Sequence, residues 1–173
     1  MPMTTALRIY MNDQLALGVL WREVANRAAQ ENAGSEAGRA LTDVAQAIAE
    51  DVRTFEDLMR RLGMRRNPVK CGLAVAAERV GRLKLNGALW SYAPLSRFAE
   101  LEFLIMGIEG KRQLWTTLGE LASLSTRLPD VDFGQLVARA EAQRAALEPH
   151  REWSGRAAFA SAPPAGAPRL QSA

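Results

Sequence analysis

A chain of 173 residues, 48% hydrophobic and 24% charged with a net charge of +3, has the composition of an ordinary globular protein and the length for one domain with a full core. A single cysteine, Cys71, excludes an internal disulfide and a Cys-rich zinc site, and a single histidine, His150, excludes multi-histidine metal centres. Every long apolar stretch meets a charge before 18 residues, and the first residues lack a basic region followed by an apolar run, so no membrane span or signal peptide is expected and a cytoplasmic location is the default.

Abundant alanine, leucine and arginine, with few β-branched and aromatic residues, favour helix throughout. Thr4 or Thr5 caps a first helix running to about Asn32, with Leu7, Tyr10, Met11, Leu17, Trp21, Val24, Ala25 and Ala28 on one broad apolar face. Gln14 and Gly18 fall on or beside that face, and Gly34 suits a left-handed cap at its end. Ser35 caps a second helix in which Leu41, Val44, Ile48, Asp51, Phe55, Leu58 and Leu62 follow in steps of three and four. That is a packing seam, and Asp51 stands in it where a leucine would be expected. Gly63 marks the end of this helix.

Asn67-Pro68 signals a shorter helix over 68–86, with Leu73, Ala76, Ala77, Val80 and Leu83 on a narrow stripe. A connector over 88–93 carries Trp90 and Tyr92. Pro94 opens the next long helix, 94–123, in which Leu95, Phe98, Leu101, Leu104, Ile105, Ile108, Trp115, Leu118 and Leu121 cover more than half the circumference, the pattern of a buried helix. Residues 124–131 read as a loop. Asp132 caps a last long helix reaching about Phe159, which Pro149 should kink or interrupt. Residues 1–160 thus read as one all-α domain, and 161–173, rich in proline and small residues, as a disordered tail.

Two acids stand out. Glu102 and Glu109 lie seven residues apart on one stripe of the helix over 94–123, among Phe98, Ile105 and Met106. A carboxylate in an apolar stripe needs a partner, a proton or a metal. The pattern offers arginines: Arg112 three residues from Glu109, with Arg53 and Arg144 on other helices, against Asp51, Glu102, Glu109 and Glu141. The expectation is a buried carboxylate–arginine network.

The four long helices are each roughly 40 to 45 Å long. The short link between the first two makes them antiparallel. A helix of about 18 residues between the second and third can carry the chain back along the bundle, which would make those two parallel. In helix lengths, crossover and inward acids the chain resembles the ferritin-like four-helix-bundle superfamily, over about residues 5–159. That resemblance implies Glu-x-x-His metal ligation, but in Glu50-Asp51-Val52-Arg53 and Glu141-Ala142-Gln143-Arg144 arginine stands where the histidine would be. Arginine does not ligate iron.

The expected function is therefore non-enzymatic and cofactor-free: a bundle acting through a protein partner or as a homo-oligomer, with any exposed member of Trp90, Tyr92, Trp115 and Trp153 marking an interface. One alternative is a di-metal oxidase or ferroxidase, with iron or manganese held by Glu102, Glu109, Glu141 and His150. The other is contact with an acidic surface or nucleic acid through residues 60–84. There Arg60, Arg61, Arg65, Arg66, Lys70, Arg79, Arg82 and Lys84 face one acid, Glu78, giving +7 and leaving −4 for the rest of the chain.

Overall fold

A computed structural model describes residues 4–68, 72 and 94–160. Among these the chain is all-helical: α1 (Thr5–Glu31), α2 (Glu36–Arg61), α3 (Pro94–Thr116), a π-helical turn (Thr117–Leu121), α4 (Leu124–Arg127) and α5 (Phe133–Phe159). The expected helix over 68–86, apart from Pro68 and Gly72, lies outside the described residues. So do the connector over 88–93 and the tail over 161–173.

The long helices begin where their caps place them. The side chains of Thr4, Ser35 and Asp132 accept hydrogen bonds from the backbone N–H of Leu7, Gly38 and Gln135. The link from α1 to α2 is closed tightly. Ser35 Oγ donates to the Asn32 carbonyl (2.7 Å), and Asn32 Nδ2 donates to the Ala28 carbonyl (2.8 Å). Gly38 permits this closure, since a Cβ there would stand 2.1 Å from the Asn32 oxygen. Gly34 supplies the turn with φ of 82°.

Two core clusters fix the direction of every long helix. One gathers Met11 and Leu15 of α1, Phe55 and Leu58 of α2, Trp115 and Leu118 of α3, and Phe133 and Leu136 of α5. The other gathers Val24 and Ala28, Leu41 and Val44, Leu101 and Leu104, and Ala140 and Leu147 of the same four helices. So α1 and α5 run one way, while α2 and α3 run the other. α1 packs on α2 and α3, and α5 packs on the same two, so in each of these four pairs the neighbours are antiparallel. The end of α2 and the start of α3 lie at opposite ends of the assembly, about 25 Å apart at 1.5 Å per residue from Leu101 to Leu118. Beyond α2 the chain first crosses α1: Asn12, buried there, donates from Nδ2 to the Arg65 carbonyl (3.4 Å) and accepts from the Asn67 N–H (2.7 Å).

Three expectations change. The helix over 94–123 is not buried all round, because Leu95 and Leu121 are exposed and its buried stripe is Leu101, Leu104, Ile108, Trp115 and Leu118. The supposed loop over 124–131 contains α4, whose Leu124 is buried together with the following Leu128 and closes one end of the core. Pro149 does not interrupt α5. The carbonyl it leaves without an N–H partner belongs to Ala145, which is exposed and open to water. No helix among the described residues is long and apolar enough to cross a membrane.

Candidate functional site

The seam of α2 puts Asp51 at the level where the two apolar clusters meet. Two other helices place a polar residue on their own seams at that level. Lys111 continues the series Leu101, Leu104, Ile108 in α3, and Gln143 falls between Ala140 and Leu147 in α5. Asp51 is 3% exposed and accepts three donors. Lys111 Nζ (2.5 Å) and Gln143 Nε2 (3.0 Å) donate to Oδ2, and Arg139 Nη2 donates to Oδ1. Lys111 also donates to Gln143 Oε1. A buried carboxylate costs several kcal/mol unless its lone pairs are met, and here both oxygens are met. The layer holds two cations against one anion, and Arg139 Nε is buried without a hydrogen-bond partner.

Burial pushes the Lys111 ammonium below the ordinary lysine value of 10.5, against the opposing pull of Asp51 and with the repulsion of Arg139. The consequence for stability has a definite sign. Below the folded pKa both states hold the proton, and the cost of the buried charge is present in full. Between that pKa and 10.5 the unfolded chain binds more protons, so this position's contribution to stability rises with pH. Urea unfolding of the wild type and Lys111→Met is therefore expected to show a gap moving in favour of the wild type as pH climbs towards 10.5. A gap that stays flat or moves the other way contradicts the assignment.

On α1 the half-buried Gln14 and Gly18 line the space beside this layer. Gly18 sits there, with the place of its Cβ 3.4 Å from Val52 Cγ2. On α3, Gly107 lies under the ring of Trp21, which meets Phe103 at 4.5 Å with a tilt of 58°. Between α1, α2 and α3 this leaves a cavity of about 90 Å³, walled by Gly18, Trp21, Phe55 and Trp115, with Asp51 and Lys111 on its polar side. Trp115 is 1% exposed, and its indole Nε1 is buried without a partner.

The acids that drew attention in the sequence lie elsewhere. Glu102 is exposed and 3.6 Å from Arg151, a partner the sequence did not suggest. Glu109 pairs with Arg112 at 2.7 Å, as the spacing predicts, but both are partly open to water. The Arg112 hydrogen bond holds the Glu109 carboxyl below the usual carboxylate range. Arg53, Glu141 and Arg144 are exposed. Of the acids expected in a buried carboxylate–arginine network, Asp51 alone is buried, and Glu102 and Glu109 form surface pairs. The stripe of residues 102 and 109 is turned away from the buried stripe of 101, 104 and 108. Lys111, Arg139 and Gln143 were missed, although the three-and-four spacing carried two of them.

The proposed metal ligands Glu102, Glu109, Glu141 and His150 do not converge. Among the described residues no three of His, Cys, Asp and Glu could hold a metal ion together. In the basic segment, Arg60 pairs with Asp57, Arg61 with Asp130 (2.5 Å) and Arg66 with Glu56 (2.6 Å). These acids answer three of the eight cations of the segment. Arg65 is exposed, and Lys70, Arg79, Arg82 and Lys84 lie outside the described residues, as does Cys71. Arg27 and Glu100 (2.9 Å) tie α1 to α3 in a mostly buried pair that the sequence pattern did not flag.

A second surface feature forms where α3 begins and α5 ends. Trp153 is 62% exposed and Phe159 66%, with Leu95 also exposed. Arg97 lies over the Trp153 ring at 6.0 Å and Arg151 over Phe98 at 5.6 Å, and Phe98 meets Phe159 edge to face at 5.2 Å. Trp90 and Tyr92 lie outside the described residues, and Trp115 is in the core, so Trp153 is the exposed tryptophan of the group named from sequence that carries the argument. No protein-family model, curated protein or solved structure matches the chain.

Proposed function

We propose that this chain is a non-enzymatic helical bundle of ferritin-like topology that acts by association with other protein, in the first instance a second copy of itself. The topology is supported by the shared direction of α2 and α3, which puts the end of α2 and the start of α3 at opposite ends of the bundle. The Asp51 layer serves the scaffold. Polar groups buried at one level of three helices set their register, because a shifted helix would leave each of them unpaired.

The observation that carries association is the exposed Trp153, Phe159 and Leu95 at one end, with the half-buried Arg97 over the Trp153 ring. Tryptophan and arginine are the residues most enriched among interface hot spots, and an indole left in water beside two other apolar side chains is a surface that gains by being covered. Sedimentation of the purified chain across a wide concentration range is expected to show a reversible dimer. Trp153→Ser should weaken it about tenfold or more while leaving the helix content unchanged. A monomer at every concentration rules out self-association. A dimer indifferent to Trp153→Ser places the interface elsewhere.

A further inference from the structure

Three seams meet at one level with an acid, a lysine and an amide, and the fourth helix brings Gly18 there, with Gln14 one turn before it. The space this leaves has a chemical character. Its walls are apolar and aromatic, from Leu15, Trp21, Val52 and Phe55, and it opens towards Leu17 and Gly110, both exposed. Its inner end is not neutral. Asp51 has both oxygens occupied by donors, yet Lys111 and Arg139 together outnumber it by one positive charge. Lys111 uses two of its three N–H donors, on Asp51 and Gln143. Trp115 stands on the same wall, and the half-buried amide of Gln14 lines it too. An unused lysine donor and a surplus cation beside a mostly apolar cavity are complementary to an acceptor-bearing, negatively charged headgroup on a small apolar body.

We propose that the cavity between α1, α2 and α3 binds a small organic carboxylate, its headgroup at Lys111 and its body of about one ring against Gly18, Trp21 and Phe55. The site is distinct from the Trp153 cluster and does not depend on the reading of that cluster as an interface. The volume of about 90 Å³ limits the body to a single ring or a short branched chain. The charge layer selects the sign: an amine would bring a third cation to Lys111 and Arg139, and a neutral alcohol of the same shape would gain the apolar contacts alone.

The test uses the whole chain with benzoate, benzyl alcohol and benzylamine, read by calorimetry and by the fluorescence of Trp21 and Trp115. Benzoate is expected to bind in the millimolar range, about tenfold or more tighter than benzylamine. Lys111→Met should remove the preference for benzoate over benzyl alcohol. Gly18→Leu, which fills the cavity, should abolish binding of both. Should Gly18→Leu fail to fold, Gly110→Leu blocks the mouth from a position where an added Cβ meets nothing within 4 Å. Trp153→Ser should bind benzoate as the wild type does, so failure of the interface and failure of the cavity are read separately. No benzoate binding at about 10 mM, benzylamine binding as well as benzoate, or binding that survives both glycine substitutions overturns the proposal.

Discussion

Asp51→Ala is expected to lower the free energy of unfolding by about 3–5 kcal/mol, with a fall in Tm of roughly 10 °C. The loss does not come from Asp51's own packing, since alanine removes few apolar contacts. It comes from what stays behind. Lys111 is left with only the Gln143 carbonyl oxygen as its acceptor at this level, and the Arg139 guanidinium remains beside it. Two cations then share a buried level without an anion. Urea unfolding with an unchanged m-value would measure the effect. Two comparisons make it specific. Arg53→Ala, two residues along the same helix and exposed, should change stability by less than about 0.5 kcal/mol. Asp51→Leu combined with Lys111→Met should recover part of the loss, because it removes the unpaired buried ammonium, while the half-buried Arg139 and the buried Gln143 still lose Asp51 as their acceptor. If Asp51→Ala costs no more than Arg53→Ala, the polar layer is not what holds the three helices in register.

The legibility of this fold followed the strength of its local signals. The cap residues Thr4, Ser35 and Asp132, and Gly34, were readable because each satisfies backbone groups within a few residues of itself. The α2 seam was readable because its steps of three and four are unbroken and its opposite face is charged. α3 was harder. Phe103, Met106 and Leu121 are exposed apolar residues, so apolarity alone did not show which side was buried, and Glu102 and Glu109 were placed on the wrong one. The periodicity of the buried side was still present. It passes through Lys111, a residue not singled out from sequence, although its neighbours at 108 and 115 mark the position as interior. Arg139 could not be reached this way, because it is half-buried beside the seam and comes to Asp51 from the flank. The pairing of Arg27 with Glu100 depends on how two hairpins meet, and no spacing within one helix encodes it.

The core position with the largest side chain supplies a sharper test. Trp115→Ala should cost about 3–5 kcal/mol, from lost burial and from a cavity that four packed helices can close only in part. Trp115→Phe should behave differently. It keeps an aromatic ring against Phe55, now met at 5.7 Å and a tilt of 55°, and gives up only the outer part of the indole. That smaller volume is worth about 1 kcal/mol in cavity terms. Against this stands the indole N–H, buried without an acceptor, which carries an uncompensated desolvation cost of about 1–3 kcal/mol that phenylalanine does not have. The two effects nearly cancel, so Trp115→Phe should lie within about 1 kcal/mol of the wild type while Trp115→Ala does not. Chemical denaturation of the two variants side by side decides it. If the phenylalanine variant loses as much as the alanine variant, the N–H is contributing a hydrogen bond in solution. If it loses almost nothing, the tryptophan is held by the packing of its rings, and its buried nitrogen does not serve the fold.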